Sequence, residues 1–440
     1  LGEESSGVGR RDFLKIAATA GISFVIGAGV GYYAGRMTAP PAAPAKTEVV
    51  IGVIAPMATK QGTVQRNAAQ LAIKEINQAG GILNLPVRMV VGDTKLNPDV
   101  ATAELRRLVE VERADVLTGG FSSGIMLAMM EPMAELKIPF LADASSPAHP
   151  AKVHDEYDKY KYWFRITQNN GATFAWDLAD MLDMLAEEGF DVSKIYIIRD
   201  EHIWTDAVMS YLQPELDKRN ITIAKDAKVG RGYTEYEPLI VEANDMGVEV
   251  IVPILAIAGT GDVMVKQWAS LELPVLLAGH DLAALDLGFY EATEGKAEGY
   301  IFLADGGVVN TAPPTEMCRK FIENYEKEYG YPPEAHQGYG AYDAVYLYKK
   351  VVEMAHDDGV ENPFDPDVVV TYLEKFTIGN PIELTRRIAF YPKGDENKFD
   401  HDLVWGDDYV RNWISQWQGG KQYIIRGKLK NRDMILPPWF

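Results

Sequence analysis

The chain has 440 residues, 47% hydrophobic and 24% charged, with a formal net charge of −20. One hydrophobic core stops growing at roughly 250–300 residues, so two substantial lobes are expected. The acidic balance excludes nucleic acid as a partner, because phosphate contacts need clustered Lys and Arg. The one cysteine, Cys318, excludes an intrachain disulfide, a cysteine-based zinc site and a lipid-bearing cysteine near the N-terminus.

At the N-terminus, Gly9-Arg10-Arg11-Asp12-Phe13-Leu14-Lys15 precedes an apolar run from Ile16 to Gly35, closed by Arg36. The RRxFLK core resembles a twin-arginine export signal, which places the rest of the chain outside the cytoplasm, extracellular or at the cell surface. The apolar run is about 20 residues, enough to span a bilayer, while Ala43-Pro44-Ala45 offers a small-residue cleavage site. Residues 1–36 therefore read as a removable signal or as an anchor helix in the cytoplasmic membrane. Gly27, Gly31 and Gly35 fall on one helical face at GxxxG spacing, which permits self-association. Residues 37–46, rich in Pro and Ala, read as an extended linker.

From Thr47 strands and helices alternate. Val49–Ile54 is a β-branched strand, and Val64–Ala79 has helical spacing that ends at Gly80-Gly81. Val87–Val91 is a strand; Asn97-Pro98-Asp99 opens the helix Val100–Glu112; Asp115–Thr118 and Phe140–Ala142 are further strands. A second cycle follows Phe164-Arg165-Ile166, with helices at Thr173–Glu188, Thr205–Arg219, Tyr236–Met246 and Asp262–Ser270. Its strands are Lys194–Ile198, Ile221–Lys225, Val250–Ile254, Val275–Ala278 and Tyr300–Ala304. Thr315–Tyr329 and Ala341–Ala355 are amphipathic helices, and the Trp-, Tyr- and Gly-rich tail from Ile388 reads as strands and turns. The pattern is α/β, two doubly wound units.

Within it, Leu117–Pro147 (LTGGFSSGIMLAMMEPMAELKIPFLADASSP) runs strand, hydroxyl-rich loop, helix, strand, hydroxyl-rich loop. Parallel strands thus bring Ser122, Ser123, Ser145 and Ser146 to one rim, beyond the carboxyl ends of the strands, where open α/β sheets bind ligands. Hydroxyls and free N–H groups at a helix N-terminus suit a carboxylate, whereas proton transfer would need a base beside them. The rim reads as a binding site.

Several stretches resemble, in order, the extracellular ligand-binding proteins of branched-chain amino-acid ABC transporters, the type I periplasmic-binding-protein fold. They are Ile51–Met57 (IGVIAPM), LAIKEINQAGGI, Gly119–Gly124 (GGFSSG), IPFLADASSPA and Tyr339–Val345 (YGAYDAV), spread over most of Thr47–Phe390. The resemblance implies two lobes joined by a three-crossing hinge: 47–165 plus 302–387, and 166–301 plus 388–440. It implies that Ser123, with Ser122, and the Ala144 carbonyl and Ser145 hydroxyl hold the main-chain groups of an amino-acid ligand. It also implies an aromatic contact from Trp204, an ammonium partner at Asp281, and Gln61 in the loop that covers the ligand. A zwitterion needs donors at one end and an acceptor at the other, so dividing them between lobes makes closure depend on the ligand. Structural roles compete: Ser123, Ser145 and Asp281 could cap helices, and Trp204 could be a packed aromatic.

The loop Ala58–Gly62 is short and lacks an aromatic cover, Asp143 stands beside the binding loop where the family has proline, and Thr205 replaces a glycine. Lys60, Arg66, His202 and His280 could add polarity, so the solute could be an amino acid, an amide or an organic acid. No G-x-S-x-G, H-E-x-x-H or P-loop is present, Gly259-Thr260-Gly261 reads as a turn, and most of the seven histidines read as surface residues. No enzyme activity, cofactor or metal is expected. The chain is expected to be a solute receptor for an ABC importer permease; the alternative is a surface or filament-forming protein assembled through its N-terminal helix.

Overall fold

The computed structural model describes residues 46–440 apart from 168–169, 257–258 and 334–335. The expected signal or anchor helix, with Gly27, Gly31 and Gly35, lies outside the described residues. Among the described residues no helix is long and apolar enough to cross a membrane.

The first sheet is built from β1 (Val49–Ala55), α1 (Lys60–Gln78), β2 (Val87–Asp93), α2 (Pro98–Arg106), β3 (Val116–Gly120), α3 (Ser123–Leu136), β4 (Phe140–Asp143), α4 (Ala148–Asp155), α5 (Tyr157–Tyr160) and β5 (Trp163–Arg165). Its strand order is β2-β1-β3-β4-β5, with every pairing parallel. Helices cover both faces, which is why all seven residues of β1 are buried and its sequence is apolar throughout rather than alternating.

The chain then crosses to a second unit: α6 (Gly171–Glu187), β6 (Lys194–Asp200), α7 (Ile203–Lys218), β7 (Thr222–Val229), α8 (Glu237–Asp245), β8 (Val250–Leu255), α9 (Gly261–Leu271), β9 (Leu276–Asp281), α10 (Phe289–Ala292) and β10 (Ile301–Ala304). It returns through α11 (Glu316–Tyr329), α12 (His336–Asp357), α13 (Pro366–Leu373), β11 (Ile382–Glu383) and β12 (Arg387–Ile388), and ends in β13 (Trp413–Gln418) and β14 (Lys421–Ile424). The second sheet has seven strands in the order β14-β13-β10-β9-β8-β6-β7, parallel from β10 to β7, with β13 antiparallel to β10 and to its hairpin partner β14. Gly419 and Gly420 join that pair with φ of 56° and 79°, the two left-handed residues a tight hairpin turn requires.

Two boundaries differ from expectation. Phe302–Ala304, expected in the first lobe, pair with β9 and β13 in the second sheet, so the second crossing follows β10. The tail crosses near Arg411 rather than near 388, because Ile388, Phe390, Leu403 and Val410 pack in the first core and only Trp413 onward in the second. Both lobes lie within the compact unit Thr47–Phe440.

The crossings are tied together by Arg386, 1% exposed. Its guanidinium donates to Asp343 Oδ2 at 2.8 Å, to the Ile166 carbonyl at 2.7 Å and to the Gly306 carbonyl at 3.1 Å. Gly306 has φ of 70°, and a Cβ there would stand 2.7 Å from the His336 Cβ, so the second crossing admits only glycine.

Candidate functional site

Each sheet ends its parallel strands at the same gap. In register, Gly120 of β3 lies opposite Asp143 of β4, so the loops that follow, Phe121–Ser122 and Ala144–Pro147, emerge side by side. Buried His149 joins them: Nε2 lies 3.0 Å from the Ser123 carbonyl and Nδ1 2.8 Å from the Ser146 carbonyl. Burial and the neighbouring Arg165 guanidinium push this imidazole down to about 3, so it is neutral and donates to only one of the two carbonyls. Arg165 Nη2 donates to the Ser146 carbonyl as well, at 3.0 Å, and its guanidinium pairs with Asp402, both groups fully buried.

A cleft of about 660 Å³, counted out to its mouth, opens above this ledge. The first lobe contributes Phe121, Ser122, Ser123 and Ser145; the second contributes Gly171, Phe174, His202, Trp204, Val208, Ala256, His280 and Leu282. Asp305, His336, Gln337 and Asn412 line it from the hinge side. Ser122 occupies the N-cap position of α3 without a side-chain hydrogen bond, so the first N–H groups of that helix face the cleft. The second lobe presents an aromatic wall. Phe174 meets the His280 ring edge-on at 4.7 Å, and Trp204 meets it at 5.8 Å. Trp204 is oriented by its Nε1–H, which donates to Asp200 Oδ2 at 3.1 Å.

At the back, Asp305 lies between two imidazoles: Oδ1 is 3.3 Å from His280 Nδ1 and Oδ2 is 3.8 Å from His336 Nδ1. Burial is the largest single influence on His280 and lowers it, but the charge and contact of Asp305, with the charges of Asp281 and Asp200, together outweigh it and the net shift is upward. Burial dominates at His336 and takes it down to about 4. Asp143, 1% exposed with neither carboxyl oxygen hydrogen-bonded, is pushed up to about 8 by burial, against the pull of Arg165.

Of the residues expected from the sequence, Ser122, Ser123, Ser145 and Trp204 line this cleft. Ala144 is fully buried beside it and is not a lining residue. Gln61 lies at the outer mouth with Lys60, opposite Leu282, Ala283 and Asp286. The expected loop Ala58–Gly62 is largely helix: Thr59 Oγ1 accepts from Gly62 N at 3.1 Å, so α1 starts at Lys60. Asp281 turns away from the cleft. Its Oδ1 caps a short 3₁₀ turn by accepting from Ala283 N at 3.0 Å, and its carboxylate packs on Gly261, where a Cβ would stand 1.7 Å from Oδ2. The histidines are not mostly at the surface: His149, His280, His336 and His401 are buried.

Asp305, His336, Gln337 and Asn412 escaped the sequence reading. Asp305 was findable, since it follows an apolar strand and precedes Gly306-Gly307, the same strand-end signal that marked the serine loops. His336 and Gln337 open the helix that carries Tyr339–Val345. Asn412 had no local signal. Among the described residues no cluster of His, Cys, Asp and Glu is arranged to hold a metal.

Residues 48–403 match the family pattern described as periplasmic binding protein. The chain is 24% identical over 392 residues to a Leu/Ile/Val-binding protein homolog from Brucella abortus, covering 83% of this chain and 86% of that one. Its fold is similar to the branched-chain amino acid transporter substrate binding protein LivJ of Streptococcus pneumoniae, solved with isoleucine (TM-score 0.67, 18% identity, 85% of this chain and 97% of that one). It is equally similar to an ABC-transporter solute binding protein from R. palustris solved with benzoate (TM-score 0.66, 16% identity, 88% and 99% covered). The chain belongs to the periplasmic binding protein family.

Proposed function

We propose that the interlobe cleft is the solute site, and that it takes a small carboxylate-bearing molecule, an amino acid or a related polar solute, for delivery to an ABC importer permease. The observation that carries this is the serine ledge. Ser122, Ser123 and Ser145 offer hydroxyls beside the open N-terminus of α3, which together favour an anion. The facing wall of Phe174, Trp204 and Val208 comes from the other lobe, so closure completes the site only around a solute. In this reading Ala144 shapes the ledge from beneath, Gln61 acts at the mouth, and Asp281 supports the His280 strand rather than touching solute. Residues 1–36 carry the export signal, cleaved or retained as an anchor. Mass spectrometry of the N-terminus of exported protein separates the two.

A thermal-shift screen of amino acids, amides and organic acids tests the site. A solute at 100 times its Kd adds about 2.7 kcal/mol to the folded state. Ser123→Ala should weaken that solute tenfold or more, since a hydrogen bond to a charged group contributes about 1.5–3 kcal/mol. A solute that binds equally well to the Ser123→Ala protein would place the site elsewhere.

A further inference from the structure

The cleft narrows the class of solute, given that it is the solute site. A zwitterion needs a carboxylate free to receive its ammonium group. Asp281, at the end of β9, accepts the Ala283 N–H at Oδ1, while its Oδ2, without a hydrogen-bond partner, lies buried against Gly261, outside the lining. The lining position on that strand end is His280. Asp305, the one carboxylate among the described lining residues, already faces His280 at 3.3 Å and His336 at 3.8 Å. All three side chains are nine-tenths buried or more, so an ammonium group placed there would have to displace an imidazole.

The rest of the second-lobe face is apolar: Phe174, Trp204, Val208 and Leu282, with Phe121 reaching over from the first lobe. No Lys or Arg lines the cleft among the described residues, so a second carboxylate on the solute would be buried without a counter-charge. A single carboxylate, by contrast, is well met by the serine ledge and α3. We infer that the solute is a monocarboxylate with an apolar body and no ammonium group, its carboxylate on the ledge of Ser122, Ser123 and Ser145 and its body against Phe174 and Trp204.

Calorimetric titration of the full chain at pH 7 with two matched triplets decides this: 3-phenylpropanoate, phenylalanine and 3-phenylpropanamide; 4-methylpentanoate, leucine and 4-methylpentanamide. In at least one triplet the plain carboxylate should bind at least tenfold tighter than both its amino acid and its amide. An amino acid that binds as tightly as its deaminated partner overturns the inference and leaves the solute-receptor reading standing. So does silence of both triplets when another solute in the thermal-shift screen binds; if no solute binds at all, the receptor reading falls too. His280→Gln should narrow the preference at least tenfold by freeing Asp305 for the ammonium group. If that variant does not fold, Trp204→Leu serves, and carboxylate binding unchanged by it overturns the placement of the body.

Discussion

Asp143 shows how a single buried carboxyl can set the response of the protein to pH. It ends β4 directly beneath the serine ledge, with neither oxygen hydrogen-bonded, and burial holds it protonated up to about 8. In the unfolded chain the same group ionises near 3.9. A folded-state value raised above the unfolded one gives stability that is complete below the unfolded value and is lost as pH rises toward the folded one. The loss is roughly 1.4 kcal/mol per pH unit across that window. Asp143→Asn, which cannot ionise, should match the parent near pH 4 and exceed it increasingly up to pH 8 in denaturant titrations. A variant less stable than the parent at pH 8 would mean that Asp143 is ionised and paired with Arg165.

At the scale of elements, buried polar groups tie the hinge crossings together. Arg386 ties the carbonyls of Ile166 and Gly306 to Asp343. Arg386→Met would take the guanidinium from these carbonyls and leave Asp343 buried with no counter-charge and only Thr385 donating to it, at a cost of about 3–5 kcal/mol. The surface pair Arg319–Glu316, about half exposed on both sides, should cost under about 1 kcal/mol when broken. Equal losses for the two, measured by urea unfolding, would contradict the stitching role of Arg386.

The same elements mark how much was legible in the sequence. The alternation of apolar strands and amphipathic helices, together with the serine loops at two strand ends, followed from periodicity and gave the fold and half of the cleft. Asp281 does not line the cleft, where His280 does, because a strand end offers two successive side chains to opposite sides, and sequence alone does not say which faces the gap. Here Gly261 leaves room for the Asp281 carboxylate behind β9, which leaves His280 in front. Asn412 joins the cleft only because the third crossing runs at Arg411–Trp413, a tertiary fact with no local pattern to announce it.

For the whole molecule, the proposed function has two lobes close on a solute, and among the described residues an ion pair spans the mouth. Lys60, at the start of α1, pairs with Asp286, just beyond the 3₁₀ turn of the second lobe. Lys60 is 63% exposed, so the pair contributes at most about 1 kcal/mol to closure. A double-mutant cycle on Lys60→Met and Asp286→Asn should show that coupling in the solute dissociation rate, diminishing with salt. Coupling that is absent at low salt would remove the pair from the closing motion.

In the proposed function the cleft between the serine ledge and the Trp204 wall holds the solute. A crystal structure of the protein with the solute that most raises its unfolding temperature tests it directly. The solute carboxylate should lie within hydrogen-bond reach of Ser122, Ser123 or Ser145, and its body against Phe174 and Trp204. A solute bound outside the cleft, or one that reaches Asp281 and leaves the ledge untouched, would contradict it.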